Sequence, residues 1–531
     1  MSDVESVPQV GPGEILPYAA SRFPDKVGLV VGSRRLTYRE LDALSRQVAT
    51  ALRRFGIGDG DVVSLYGQNS WQWIVSYHGA LRAGAIVNPV NVMLTGPELE
   101  FVLSDCESKV VLAGADQAAV AVAAAHSVGS VEAVVTFGDA APTNSLTFES
   151  FLANAGNEDL SSTDWAGPNA LCSIGYTSGT TGHPKGAMQS QQSVLLNCAY
   201  TATMHGRTAN DVVVTALPAP HVYGNVAVNS TFLVGGTVVL MERFDAAAAL
   251  RLIEDERATM FEGVPAMYSM MIAHSAVDSA DLSSLRVSTV GGQTFPPSLL
   301  DRWQRRTGKP MLELWGMTEI AGLGTTHTPH APGVPGSIGV AMPGTELRIR
   351  ALQDEGETSV GEPGELMIRG PLVMLGYYGN PEATAEVLQA DGWLRTGDIA
   401  TVDSTGHYFV VDRMKDMLVT AGYNVYPAEI ERVVGGHPDV AMVAVGRRDD
   451  EVRGEIAVAY VVPRPGTSPT VESILDFCRE RLAAYKRPRD VVFVSDLPKT
   501  SSGKLMRRKL SELDHADVVS LTNPLTAPST Q

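Results

Sequence analysis

The stretch Tyr176–Gly186, YTSGTTGHPKG, decides how the rest of the chain is read. Eleven residues hold three Gly, three Thr, one Ser and one Lys. Glycine reaches φ > 0 without steric cost, so successive backbone N–H groups can point inward as an anion nest. Hydroxyls and one ammonium complete a donor set suited to a polyphosphate. The loop is not the GxxxxGK[ST] motif, because His183 and Pro184 separate the second glycine from Lys185.

Outward from the loop, the bulk properties set limits. A chain of 531 residues exceeds one ordinary core, so two or more domains are expected. Hydrophobic residues at 44% and charged residues at 19% describe a globular chain. A net charge of −18 argues against a general nucleic-acid or acidic-membrane binder, so any anionic ligand must be held locally. Cys106, Cys172, Cys198 and Cys478 form no metal-type cluster and read as buried, reduced thiols of a cytoplasmic protein. The N-terminal residues show no signal-peptide pattern, and no apolar run approaches the ~20 residues of a membrane span.

The first half alternates helix and strand. Thr37–Glu40 and Thr95–Glu98 read as capping boxes, and Ser70 as the cap of a helix to about Arg82. DVVSLY (61–66), 85–89 and 109–113 read as strands between them. This βα alternation implies an α/β fold, with a large N-terminal domain (1–411) of largely parallel sheets covered by helices. From about Gly336 short strands punctuated by Gly and Pro suggest a β-rich subdomain reaching residue 411. Residues 412–416 read as a hinge and 417–531 as a mobile small α+β C-terminal domain. In it, strands are expected at 440–445, 456–462 and 491–494, with a helix from about 471 to 484 capped by Thr470. Residues 412–531 carry 17 basic and 17 acidic side chains, so the whole net charge lies upstream.

The loop's spelling, TSGTTGxPKG, resembles the phosphate loop of the adenylate-forming superfamily, in its acyl-CoA synthetase branch. Further stretches follow in the same order. WGMTE (315–319) resembles the motif at adenine and magnesium, and DGWLRTGD (391–398) ends in the family's ribose-binding Asp. DRMKD (412–416) resembles the hinge, and PKTSSGKLMRR (498–508) the C-terminal motif with a catalytic lysine. The resemblance covers about residues 20–510.

It implies an enzyme that joins a carboxylate to AMP from ATP and then transfers the acyl group to coenzyme A. Thr177, Ser178, Gly179, Thr180, Thr181, Gly182 and Lys185 would cradle the β- and γ-phosphates. Thr318 would touch the α-phosphate and Glu319 would hold Mg²⁺, a hard ion that favours oxygen ligands. Trp315, Gly316 and Met317 would lie at adenine, with Gly291, Gly292 and Gln293 along the nucleotide's other side. Asp398 and Arg413 match the ribose ligands, and Lys504 the catalytic cation. Lys415 stands at the hinge, where the C-terminal domain would rotate between steps, and Gly422 in the loop lining the pantetheine tunnel.

His221, Val222, Tyr223, Gly322 and Leu323 are the expected acyl-pocket residues. Gly316 leaves room where acetate-specific relatives carry Trp, and no Arg or Lys lies nearby to pair with a second carboxylate. The expected substrate is a medium or long, or bulky, hydrophobic monocarboxylic acid. Alternatives are an adenylating enzyme that loads a carrier protein in trans, a stand-alone acyl-AMP ligase, a luciferase-like oxidase and a non-catalytic descendant. A monomer and a homodimer are both compatible with the sequence.

Overall fold

The computed structural model describes residues 11–138, 140–153, 167–177, 184–293, 295, 297–331, 333–352, 356–420, 423–450, 453–498 and 505–514. Packing divides the chain into two units. The first comprises Met1–Arg348, Met367–Thr396 and Ser404–Tyr408, and the second Ile349–Leu366, Gly397–Asp403 and Phe409–Gln531.

The first unit is built on two large sheets. One has eight strands, in the order Leu146–Thr147, Ala133–Thr136, Val110–Ala113, Val62–Tyr66, Ile86–Pro89, Leu171–Thr177, Lys185–Ser190 and Gly376–Tyr377. The first six run parallel, and the last two pair antiparallel. The other has nine strands, with a parallel centre of Val27–Val31, Thr237–Leu240, Val212–Thr215, Met260–Gly263, Val287–Val290 and Met311–Met317. Arg34–Thr37 borders it on one side, and Gly322–Thr326 and Val340–Ala341 on the other, all antiparallel. VVSLY, VVLA and TVVL are buried at every position, as strands covered on both faces must be.

The helix signals hold. Thr37 and Glu40 form a complete capping box on Tyr38–Arg54, Thr95 and Glu98 another on Gly96–Asp105, and Ser70 caps Trp71–Arg82. Leu41, Val48 and Leu52 put the first of these helices into a core with Trp73 and Phe232. All four cysteines are free and buried. Among the described residues no helix is long and apolar enough to cross a membrane.

The second unit carries a five-stranded sheet in which Gly454–Pro463 is central. It pairs antiparallel with Val440–Asp450 and Leu418–Thr420, and parallel with Asp490–Phe493. Ala457, Ala459 and Val461 enter one apolar cluster while Val458, Tyr460 and Val462 enter another, so the period-2 pattern is buried on both faces.

One boundary differs from the sequence reading. The helix from Val471 stops at Arg479 rather than near 484. Arg487 donates to the carbonyls of Leu482 and Arg479, satisfying acceptors that a longer helix would have used itself. After Gly336 the strands Glu346–Arg350, Gly364–Arg369, Leu394–Val402 and Tyr408–Arg413 form a four-stranded sheet.

Candidate active site

The opening stretch is a hairpin connection. Leu171–Thr177 and Lys185–Ser190 pair antiparallel, with Thr177 opposite Lys185. Ser178, Gly179, Thr180, Thr181 and Gly182 lie outside the described residues, so the geometry on hand is that of the two posts. The Thr177 hydroxyl donates to the Lys185 carbonyl at 3.4 Å. The Lys185 ammonium stands 3.7 Å from the Glu386 carboxylate and 5.4 Å from the centroid of the Tyr377 ring. Glu386 is 71% exposed, so water screens the pair and holds the ammonium only weakly.

Beside these posts the strand Met311–Met317 ends in a 3-10 turn, Thr318–Ile320, closed by Ala321 in the left-handed region at φ 55°. Neutral side chains fix this turn. Gln189 Nε2 donates to the Thr318 carbonyl at 2.9 Å, and its Oε1 accepts from the Ser173 hydroxyl at 2.5 Å. Buried Asn197 donates to the carbonyls of Ile320 and Leu323 at 3.1 and 2.9 Å and accepts from Leu323 N–H at 3.0 Å. The Thr318 methyl lies over Gly175, where a Cβ would come within 2.5 Å of it. The first hairpin strand therefore needs glycine at that point for the two sheets to meet.

Glu319 is buried, and its Oε1 accepts from the Tyr377 hydroxyl at 3.0 Å. Burial, followed by the Glu319 charge, pushes the Tyr377 phenol well above its ordinary range, so it remains a donor at neutral pH. Lys185, Tyr377 and Glu319 thus form one row. Tyr377 escaped the sequence reading, although it lies in the LGYY run; its strand, Gly376–Tyr377, docks on Lys185–Ser190 only after some 190 intervening residues. Among the described residues no cluster of three or more His, Cys, Asp or Glu is placed to hold a metal. One buried carboxylate suits Mg²⁺ that arrives with phosphate oxygens and keeps its waters.

Gly291 follows the strand Val287–Val290, packed so that a Cβ would meet Leu314 Cδ1 at 2.2 Å. Gly292 takes φ 87°, and Gly292 and Gln293 are exposed. Ligands of open α/β sheets gather at such carboxyl ends of parallel strands. Trp315 is buried, with its indole on Gly324, where a Cβ would lie 2.4 Å from the ring. Only 7% of Trp315 remains accessible. Met317 is half-buried.

The expected acyl-pocket residues divide. Val222 lines a small pocket with Tyr77, Ser173, Gln189, Val194 and Asn225. His221 serves the helix Val222–Leu233 as N-cap, its Nδ1 accepting from Tyr223 N–H at 3.3 Å. Tyr223 is buried, its hydroxyl 2.7 Å from that of Thr289, and Leu323 is buried as well. Gly322 faces Asn197 and Val226. All three are closely packed. The reason for glycine at 316 is also one of packing. A Cβ there would meet the Gly322 carbonyl oxygen at 2.0 Å, so close backbone approach, rather than pocket volume, requires this glycine. The pocket residues Tyr77, Ser173 and Asn225 were not legible because they come from distant elements.

In the second unit, Arg413 Nε lies 2.9 Å from Asp398 Oδ1, with Asp398 buried and Arg413 half-exposed. Lys415 occupies a 3-10 turn, Met414–Asp416. Leu418–Thr420 and Tyr423–Val425 pair antiparallel on either side of the loop that holds Gly422. Gly422 and Lys504 lie outside the described residues.

Comparison with known proteins agrees with this geometry. The family model for AMP-binding enzymes matches residues 16–378, and that for the AMP-binding enzyme C-terminal domain matches residues 429–504. The chain is 38% identical over 493 residues to an indoleacetate–CoA ligase of Aromatoleum aromaticum, covering 92% of this chain and 95% of that one. It is 38% identical over 491 residues to a feruloyl-CoA synthase of Amycolatopsis, covering 92% and 96%. The crystal structure of an anthranilate CoA ligase with anthranoyl-AMP superposes with a TM-score of 0.88 at 27% identity, covering 97% and 99%. A buried carboxylate and a weakly held lysine flanking a fixed Thr turn, together with these matches, lead to one conclusion: the chain belongs to the adenylate-forming family of AMP-binding enzymes, in its branch of AMP-forming acid–thiol ligases.

Proposed function

We propose that the chain is an acyl-CoA synthetase for a compact or bulky hydrophobic carboxylic acid, acting in two steps with rotation of the C-terminal domain between them. In the first, a carboxylate oxygen attacks the α-phosphorus of ATP, the bond to the β-phosphate breaks and pyrophosphate leaves. In the second, the CoA sulfur attacks the acyl carbonyl, AMP leaves and the thiol proton passes to solvent. The row Lys185–Tyr377–Glu319 beside the Thr318 turn carries this reading.

Lys185 takes the outer phosphates with Thr177 and the Ser178–Gly182 loop, and Thr318 meets the α-phosphate. Glu319, oriented by Tyr377, would hold Mg²⁺, which supplies charge neutralisation when bound. Asp398 and Arg413 take the ribose, Gly291–Gln293 and Trp315 border the base, and Lys504 stabilises charge during adenylation. Lys415 is the hinge position and Gly422 the narrow point for pantetheine. The pocket at Val222, Asn225 and Tyr77 is small. Relatives named for indoleacetate and ferulate favour a compact ring-bearing acid over a long chain.

The test is AMP release from ATP and Mg²⁺ across acids of increasing length and bulk, each with and without CoA. CoA-dependent turnover highest with compact aryl or cyclic acids is the expected result. Adenylate that CoA does not discharge would turn the reading to carrier-protein loading.

A further inference from the structure

The pocket beside Val222 carries polar groups that an apolar substrate would not need, and all of its lining belongs to the first unit. Part of that lining comes from the Thr318 turn and its support. Gln189 donates to the Thr318 carbonyl, Ser173 donates to Gln189, and Ala321 closes the turn. The rest includes two helices, with Tyr77 on Trp71–Arg82 and with Val222 and Asn225 on Val222–Leu233.

The second of these helices reads VYGNVAVNSTFL, a mostly apolar run interrupted by Asn225 and Asn229. Asn is a poor helix former, and a buried amide costs free energy unless its hydrogen bonds are made. From Tyr223 to Phe232 every position is buried except Asn225, which lines the pocket. Asn229, one turn further on and 2% exposed, donates its Nδ2 to Asn225 Oδ1 at 3.0 Å. The Asn229 Oδ1 is itself buried without a hydrogen bond. Replacing both partners of a buried pair by apolar groups of the same shape is nearly neutral, so stability alone gives no reason for two amides here.

The pair does fix a direction. With its Oδ1 taken by Asn229, Asn225 presents its NH₂ group, two donor hydrogens on one nitrogen. Tyr77 receives one of them: burial pushes its phenol well above the ordinary range, and the Asn225 amide pulls the other way as a hydrogen-bond donor. Tyr77 therefore stays protonated at neutral pH, and its O–H is a donor too. Its ring is held by stacking on Trp73, with centroids 5.6 Å apart and planes at 11°. Donors on this side of the pocket call for an acceptor on the ligand. Among the described residues the lining has no charged side chain, so the fitting acceptor is a neutral oxygen.

We propose that Asn225, oriented by Asn229, is a specificity-determining residue that selects acids bearing a neutral acceptor oxygen, a hydroxyl or an ether, on the part that enters this pocket. This deepens the function proposed above and rests on it: the carboxylate reacts at the Thr318 turn, and the remainder of the acid enters the pocket that shares Gln189 with that turn.

The experiment is acid-dependent ATP–pyrophosphate exchange with pairs of aryl acids that carry either a methyl or a hydroxyl group at the same ring position, each position in turn. The wild type should favour the hydroxyl acid at one position by about 10- to 100-fold in kcat/KM. Asn225→Leu should bring that ratio down toward one, chiefly through the KM of the hydroxyl acid. Asn229→Leu keeps the Asn225 amide but lets it turn, and its ratio should fall between the two. A ratio of one at every position in the wild type overturns the proposal. So does an Asn225→Leu variant that loses activity with both acids alike, the mark of a merely structural amide. Should Asn225→Leu not melt cooperatively, Tyr77→Phe removes the second donor alone and must lower the same ratio; an unchanged ratio is equally decisive. The two levels separate in the wild type. If no acid of the series supports exchange, the reading beneath fails and takes this one with it. If methyl and hydroxyl acids support it equally, this inference alone fails.

Discussion

The Thr318 turn and the turn at the proposed hinge are both short 3-10 segments, yet they are fastened by opposite means. Thr318–Ile320 is held by buried neutral amides, Gln189 on a strand and Asn197 on the helix that follows it. Met414–Asp416 is held by an ion pair, the partly exposed Asp416 on Arg507. A buried neutral hydrogen bond has no cheap alternative partner, so breaking it carries the full desolvation cost, ~1–3 kcal/mol per group. Partly exposed ions can trade a protein partner for water as they move. The first arrangement suits a part that stays fixed through both half-reactions, and the second a part that turns.

The largest expected effect attacks the neutral fastening. Asn197→Leu keeps the volume and removes three hydrogen bonds, leaving the carbonyls of Ile320 and Leu323 and the Leu323 N–H buried without partners. Adenylation should fall by about 100-fold through misplacement of Thr318 and Glu319, and stability by roughly 3 kcal/mol. Pyrophosphate exchange and denaturant melts check the two. A variant that melts early but exchanges normally would break the claim that the amide sets the turn.

Gly316→Ala comes next. Its Cβ would meet backbone at 2.0 Å and force Gly322 away, at roughly 1–3 kcal/mol. If the glycine served only pocket volume, stability would hold and only bulky acids would lose turnover; loss for every acid is expected instead. Tyr377→Phe is milder. It deprives buried Glu319 of one donor while keeping the ring beside Lys185, so turnover should drop about tenfold, about 1.4 kcal/mol, with more Mg²⁺ needed for half-maximal rate. Unchanged Mg²⁺ dependence would remove Tyr377 from the site.

How far the sequence carried depended on whether a feature is local. Capping boxes at Thr37 and Thr95 and the strand runs at 62–66 and 110–113 were legible because a handful of neighbours determines them. Residues 315–319 and 176–186 were placed beside one another by family pattern, and Gly175 under Thr318 is the physical contact behind it. Tyr377, Asn197 and Asn225 were invisible because each acts on elements far along the chain, through single hydrogen bonds or a shared wall. The surroundings of Tyr223 and Leu323 were not legible for the converse reason. Motif position suggested a pocket, but in a helix buried all round and a strand buried throughout, the pattern does not say which neighbour a side chain meets.

The smallest effect sharpens the comparison by testing an ionisable fastening inside the neutrally fastened unit. Glu313, in the strand that leads to Thr318, is buried and accepts Gly336 N–H at 2.8 Å. Burial pushes its carboxyl up to about 7, against the downward pull of that hydrogen bond. The folded state therefore binds this proton more tightly than the unfolded chain, whose carboxyl stays near its ordinary ~4.3. Stability should decline as pH rises from that value to about 7 and then level off. Glu313→Gln keeps an oxygen for Gly336 and removes the charge. The variant should match the wild type near pH 5 and exceed it near pH 8 by on the order of 1 kcal/mol, with turnover unaffected at either pH. Denaturant midpoints at the two pH values decide it. Parallel pH curves would mean that Glu313 is solvated in the folded chain, and the large unit would then owe its fixity to hydrogen bonds alone.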